Sequence, residues 1–536
     1  MIIARHSRVV GLLLFVFSAV SASHSQNFVA SDVMTSVSLE DPKYGEIAVA
    51  KIGSRTITAR EFLMNYAFGP AFPKREKDSK RRYLNFMIYE KLLALEGYAR
   101  KLDATEIAQQ TLSEIENDLA TEELYKDDVL SKVEISEKEI QKGMKKDRVH
   151  LKIRWLFSTT KDQCLALDKL LENGVPFDSL YVFQFRDSLK EDERSMETTP
   201  FRSELKNPEL AQVVDTLTTG KYSIPVHAPD GYYILNVTER WTNPLMNETE
   251  ETKLHSDIQR ALIQSRSDSL SDNYVQHLLI NEHPTIIREP FDIVHTYLAK
   301  KALPEVKFSQ WKLEKRLLER WGPVDISDLK PFEGQTLVRL TKHHFTVKDF
   351  MRWYNSRENN LHFEDSRPET FYSSLEQMVW QMARDRLLAE KALGRGMQRR
   401  ESVRRQYAWW RDKVVYKLER RRISDSIPIS DALIEKYFTT NQKKYRNENG
   451  ELSPFEKIKD DVAKDYYSDA LTERLLHNIL RLKGKYKVEI KEEKLKGLDV
   501  EQENDPKAID VYVVKKGGTF PRQAFPSIDY EWQTWN

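Results

Sequence analysis

Apolar positions recur at helical spacing along most of this chain, and period-two alternation is confined to a few short stretches. Leu84, Met87, Ile88, Leu92 and Leu95 fall on one face of a helix. Val403, Tyr407, Trp410, Val414 and Leu418 do the same, with arginines on the other faces. Residues 250–280 read as one long polar helix, 283–335 as shorter helices, and 453–483 as another helix before strand-like 486–490. Strand character concentrates between 148 and 240. There the pattern predicts a strand over 151–157, a helix over 161–171, a turn over 174–177 and a short helix over 207–217. A hairpin follows, with strands 224–226 and 232–237 around Pro229-Asp230-Gly231. Asp-Gly between two apolar runs is a hairpin signal, because glycine takes the positive φ that such turns need.

The helical pattern is duplicated. Residues 48–66, AVAKIGSRTITAREFLMNY, return 288 positions on as TLVRLTKHHFTVKDFMRWY. Thr58, Phe62 and Tyr66 match Thr346, Phe350 and Tyr354, and Glu61 matches Asp349 in charge. In each copy a short strand precedes a threonine N-cap with an acid three residues on, a capping-box arrangement. Leu92-Leu93-Ala94 recurs as Leu387-Leu388-Ala389. The segment Ile135-Ser136-Glu137, with Ile140, recurs as Ile429-Ser430-Asp431, with Ile434. Ser136 with Glu139 is again a capping box. Three matches in the same order point to duplication.

The hairpin resembles the closing hairpin of parvulin-type peptidyl-prolyl isomerases, and the order of elements over 148–240 fits that domain. On this resemblance Arg154 and Tyr233 stand where the family keeps two histidines. The family's glycine-rich turn corresponds to residues 195–201, of which only Phe201 keeps the family's residue. Leu210 and Val214 take the place of the apolar pair that grips the proline ring. The duplicated unit is similar to the N-terminal helical module of SurA-like periplasmic chaperones. The resemblance implies a mostly helical chaperone core, a duplicated module, carrying one parvulin-like β-α-β domain: an α+β chain. Parvulin chemistry needs no nucleophile, metal or cofactor. It lowers a barrier of roughly 18–20 kcal/mol by favouring the twisted peptide bond. With both histidines replaced, the expectation is a divergent site of weak or lost activity.

Composition narrows the remaining classes. Lys plus Arg number 84 against 83 Asp plus Glu, which argues against a dedicated nucleic-acid surface. The single cysteine, Cys164, excludes an intramolecular disulfide. The twelve histidines show no metal-ligand spacing, and adjacent His343 and His344 on a strand point to opposite faces. Gly394-Arg395-Gly396 lacks the third glycine of a phosphate loop, and no GxSxG elbow occurs. Residues 1–26, with Arg5 and Arg8 before an apolar run and small residues, read as a secretory signal peptide.

The sequence is therefore read as a signal peptide over 1–26, a SurA-like N-terminal helical module over 45–147, a parvulin-like domain over 148–240, a helical connector over 241–335, a second helical module over 336–490, and a polar and aromatic tail over 491–536. The expected function is a periplasmic folding chaperone binding unfolded or extended polypeptide clients. It carries no cofactor and no metal, contacts no nucleic acid and makes no stable membrane insertion. The alternatives are an active prolyl isomerase with a non-standard site built on Arg154 and Tyr233, and a structural cell-envelope scaffold. The tail reads equally as an ordered arm or as a client-like extension.

Overall fold

A computed structural model describes residues 44–45, 47–74, 78–185, 195–242, 247–358, 361–447, 450–498 and 519–534. The expected signal peptide lies outside them. The chain is α+β, mostly helical, with three small antiparallel sheets among the described residues. It divides into two compact units, one of residues 132–269 and one built from the segments on either side.

In chain order the larger unit begins with β1 (Ala48–Ile52), β2 (Arg55–Thr58), α1 (Ala59–Phe68), α2 (Ser79–Ala99) and α3 (Glu106–Asp128). The smaller unit follows, with α4 (Glu137–Asp147), β3 (Val149–Ser158), α5 (Lys161–Glu172), α6 (Phe177–Phe185), β4 (Ser195–Thr198), α7 (Pro200–Lys206), α8 (Pro208–Thr216), β5 (Val226–Ala228) and β6 (Gly231–Thr242). The long helix α9 (Glu248–Glu282) belongs to the smaller unit up to Ser269 and to the larger one beyond. The larger unit resumes with β7 (Thr285–Ile286), α10 (Arg288–Ala302), α11 (Glu305–Trp311), α12 (Leu313–Trp321), β8 (Thr336–Arg339), β9 (His344–Thr346), α13 (Val347–Arg357), α14 (Pro368–Gly394), α15 (Glu401–Asp425), α16 (Asp431–Thr440), α17 (Phe455–Lys485), β10 (Val488–Ile490) and α18 (Glu492–Lys496).

The sequence repeat is a structural repeat, and its two copies exchange parts. Each copy opens with a strand pair running into a capped helix, β1-β2-α1 and β8-β9-α13. The sheets have strand orders β10-β1-β2 and β7-β8-β9. Thus β7, which follows the long helix of the first copy, completes the sheet of the second, pairing Thr285 with Arg339. In return β10, which follows the long helix of the second copy, completes the sheet of the first, pairing Ala50 with Ile490.

The helices cross over in the same way. Helix α2 meets α15, where Gly97 permits a close approach: a Cβ there would lie 2.6 Å from a Val415 methyl. Helix α3 meets α14 through an ion pair of Arg386 and Glu114 at 2.6 Å. The apolar face of residues 403–418 packs on Ala108, Leu112, Ile115 and Leu119 of α3. Leu84, Met87, Ile88, Leu92 and Leu95 are all buried.

The caps follow the pattern with one difference. Thr346 with Asp349 and Ser136 with Glu139 form complete capping boxes. Thr58 accepts from the Glu61 backbone at 3.2 Å, but the Glu61 carboxylate is drawn 2.6 Å from Lys91 instead of returning to the cap.

In the smaller unit the four-stranded sheet runs β4-β3-β6-β5, antiparallel throughout. Gly231 begins β6 at φ 158°, and a Cβ there would lie 2.6 Å from the Ser158 carbonyl oxygen. That close approach explains the Asp-Gly turn better than backbone freedom alone. Residues 195–201 are an edge strand running into a helix rather than a turn. Thr199 caps α7 by accepting from the Arg202 backbone, and Pro200 sits in its first turn, where a missing N–H costs nothing. Phe177 opens a further helix, α6, where the pattern gave only a turn. Helix α4, read from the pattern as part of the first helical module, groups with this unit. Its Ile140 and Met144 pack on Phe201 and on Ile258 of α9.

Candidate functional site

The two central strands carry the residues that the sequence singles out. Their register pairs Arg154 with Asn236 and Phe157 with Tyr233. Side chains alternate between faces, so Arg154 and Asn236 share one face, while Phe157 and Tyr233 share the other. The contacts agree. Arg154 Nε donates to Asn236 Oδ1 at 2.9 Å, and its guanidinium pairs with Asp178. That guanidinium lies 5.1 Å from the Phe177 ring and 5.3 Å from the Tyr181 ring, both on α6. Tyr222 stacks on Phe177 at 6.4 Å. Arg154 is thus held in an aromatic seat beneath α6.

Tyr233 belongs to the opposite face. Its ring lies 5.1 Å from Phe157, and its hydroxyl donates to Asp230 at 2.6 Å. Burial, with Asp230 beside it, pushes its pKa well above the usual tyrosine value. Leu210 and Val214 of α8 pack on this face with Leu235, Val237 and Trp155. Val214 is 1% exposed, so it forms core instead of the floor of an open pocket. Phe201 lies in a separate cluster with Ile140, Met144 and Ile258.

The structure therefore brings together Tyr233, Leu210 and Val214, and places Arg154 and Phe201 elsewhere. The neighbours of Arg154 in sequence do not fix its face; the cross-strand register does. The first-strand side chains on the Tyr233 face include Leu151, Ile153, Trp155 and Phe157. Apolar side chains elsewhere in this unit are exposed: Phe183 on α6 at 61% and Ile224, before β5, at 77%.

The larger unit holds a second polar constellation. Lys91 Nζ lies 2.6 Å from Asp412 and 2.6 Å from Glu61, all three buried. Tyr98 donates to the other Asp412 oxygen at 2.7 Å. Burial raises the Glu61 pKa against the pull of Lys91, while Lys91 and Arg55 hold Asp412 low despite its own burial. One helical step away, Lys413 bonds both oxygens of Glu90 at 2.8 Å. A cleft of about 700 Å³ opens beside this cluster, lined by Arg55, Arg60, Glu61, Lys91, Arg405 and Asp412 among others. The residues of this cleft offer matched charges and hydrogen bonds. Among the described residues no group of three or more His, Cys, Asp or Glu is placed to hold a metal, and no helix is long and apolar enough to cross a membrane.

Fold and site define an α+β protein in which a small sheet domain accompanies a duplicated helical unit. No family model matches the chain, and no curated protein sequence matches it. Among solved structures, the chain is similar to a peptidylprolyl isomerase (PrsA) from Bacillus anthracis, at 16% identity and a TM-score of 0.21, over 36% of this chain and 96% of that one. It is also similar to the foldase protein PrsA from Streptococcus pneumoniae, at 16% identity and a TM-score of 0.20, over 42% of this chain and 93% of that one. PrsA from Bacillus subtilis is similar at 17% identity and a TM-score of 0.16. Likeness of this degree transfers no residue's role.

Proposed function

We propose that this protein is a folding helper that holds extended polypeptide, and that its parvulin-like domain binds peptide more than it isomerises it. The observation that carries this reading is the division of Arg154 and Tyr233 between opposite faces of the sheet. An isomerase must present its polar groups and its proline seat to one peptide bond at once. Here the two polar candidates cannot meet on one peptide bond, since only Tyr233 shares a face with Leu210 and Val214. What remains is exposed apolar surface at Tyr222, which stacks on the buried Phe177, and at Ile224, suited to apolar segments.

The setting we propose is the periplasm, entered through the signal peptide of residues 1–26, with unfolded envelope proteins as clients. The test is a prolyl-peptide isomerisation assay run beside a peptide-binding array on one sample. The reading expects broad binding of aromatic-rich peptides and isomerisation near the uncatalysed rate, which takes tens to hundreds of seconds at about 25 °C. Strong catalysis abolished by Tyr233→Phe would overturn it in favour of an enzyme. Tight binding to one partner alone would favour a scaffold.

A further inference from the structure

The described part of the tail, residues 519–534, lies in a groove of the larger unit, and most of it forms neither helix nor strand. Only 530–534 form a short helical turn. Its side chains are deeply inserted: Phe520, Phe525, Ile528 and Trp532 are buried. Phe520 lies against Tyr125 at 5.5 Å and Tyr274 at 5.4 Å. Phe525 stacks on Phe68 at 4.7 Å, and Trp532 stacks on Phe86 at 5.8 Å.

The groove addresses the tail's backbone with side chains. Asn65 Nδ2 donates to the Pro526 carbonyl at 3.0 Å, while Asn65 Oδ1 accepts from the Ile528 N–H at 3.1 Å. Trp410 Nε1 donates to the Ala524 carbonyl at 3.0 Å, and Glu90 accepts from the Asp529 N–H at 2.8 Å. Tyr83 fixes the amide by donating to Asn65 Oδ1 at 2.9 Å. A side-chain amide that clasps a backbone carbonyl and an N–H two residues on can serve any sequence, because every residue but proline offers both groups. The groove also holds the tail by its side chains: Lys413 pairs with Asp529 at 2.8 Å, and Trp532 Nε1 donates to Glu90 at 2.9 Å. The tail's own sequence is also repetitive, with aromatic–proline dipeptides at Phe520-Pro521 and Phe525-Pro526.

We propose that this groove is a binding site for extended polypeptide carrying aromatic–proline dipeptides, and that the tail is an exchangeable plug occupying it in cis. The reading of the whole protein as a polypeptide holder gives this site its purpose, but the exchange is measurable without it. A tethered plug competes at an effective concentration on the order of millimolar, so a client must be abundant or multivalent to displace it.

The experiment uses the full chain with a specific protease sequence inserted within residues 499–518, cleaved after folding. The probe is a fluorescent synthetic peptide of residues 517–536. The cleaved protein is expected to release its tail and bind the probe. The uncleaved protein should bind it at least tenfold more weakly, and the intact Phe525→Ala/Trp532→Ala variant should regain binding. An unrelated peptide with two Phe-Pro dipeptides five residues apart should compete, whereas a polar peptide should not. Asn65→Ala should weaken all binding peptides alike.

A cleaved tail that stays bound under excess probe would mark it as a fixed structural arm and overturn the proposal. Exchange of the probe without competition by the Phe-Pro peptide would overturn the assignment of ligand. Failure to suppress aggregation of unfolded protein, with exchange intact, would instead count against the folding-helper reading alone.

Discussion

Lys91 and Asp412 face each other at 2.6 Å across the contact between α2 and α15, 321 residues apart in the chain. The pair has a counterpart where the copies cross again. The motif Glu90-Lys91-Leu92-Leu93-Ala94 returns as Asp385-Arg386-Leu387-Leu388-Ala389, and Arg386 reaches Glu114 of α3 at 2.6 Å. Each copy thus lends a basic side chain to an acid of the other. Together with the exchanged strands β7 and β10, these pairs make the duplicated unit a single interlocked body.

Breaking that lock on one side leaves a buried charge without its partner. Lys91→Met should destabilise the protein by about 3–5 kcal/mol, the usual cost of orphaning one member of a buried pair. Lys91→Met combined with Asp412→Leu should recover part of the loss, because Asp412 is then no longer a buried charge without its lysine, although Glu61 still is. Urea unfolding of the three chains, read at constant slope, checks this.

The core around α10 should make the protein sensitive to acid. His295 is buried among Phe291, Phe371 and Tyr372, and burial lowers its pKa to about 4, with Asp292 and Arg288 opposing each other beside it. Between about pH 6.5 and 4 the unfolded chain holds a proton on this residue that the folded chain refuses. Its contribution is therefore fully present above pH 6.5 and is lost as pH falls towards 4, amounting to about 3 kcal/mol at most. His295→Phe should flatten that part of the stability profile in thermal melts from pH 7 to 4. An unchanged slope would place the acid sensitivity elsewhere.

The hairpin of the sheet domain depends on a close approach that only glycine allows. Gly231→Ala would put a methyl 2.6 Å from the Ser158 carbonyl and the Phe157 ring. The expected result is a loss of about 1–3 kcal/mol, the usual cost of overpacking, read as faster hydrogen exchange in β5 and β6. Exchange in the two sheets of the larger unit should not change.

Placing histidines at positions 154 and 233 should not create an isomerase. Arg154→His and Tyr233→His together would set two imidazoles on opposite faces of the sheet, where they cannot share a peptide bond. A protease-coupled prolyl-peptide assay should return the same near-background rate for the double variant as for the original chain. A large gain would mean that the two faces cooperate after all.

Much of the fold was legible in the sequence, for identifiable reasons. Apolar faces such as Leu84 to Leu95 repeat at helical period over many turns, and capping signals such as Ser136 with Glu139 are local. The Asp230-Gly231 turn is local too. What escaped was set by long-range pairing. Nothing near 286 or 489 in sequence says that these strands join the other copy's sheet. Nor does the text around Arg154 reveal which face it takes, since a single bulge at Lys152–Ile153 shifts the strand register. Helix α6 escaped because the apolar residues of 177–185 are spread around the helix, among Asp178, Ser179 and Gln184, and form no single stripe. The docked tail escaped because its aromatic residues and prolines follow neither the helical nor the strand period; their partners Phe68, Phe86 and Tyr125 lie some 400 residues upstream in sequence.

The central claim, that this chain holds extended polypeptide, is tested most directly by light scattering as an unfolded outer-membrane protein is diluted from denaturant into buffer with the purified protein and no ATP. The account predicts that scattering falls in proportion to added protein while isomerisation of a prolyl peptide by the same sample stays near background. Undiminished scattering at a molar excess, together with rapid isomerisation, would contradict it.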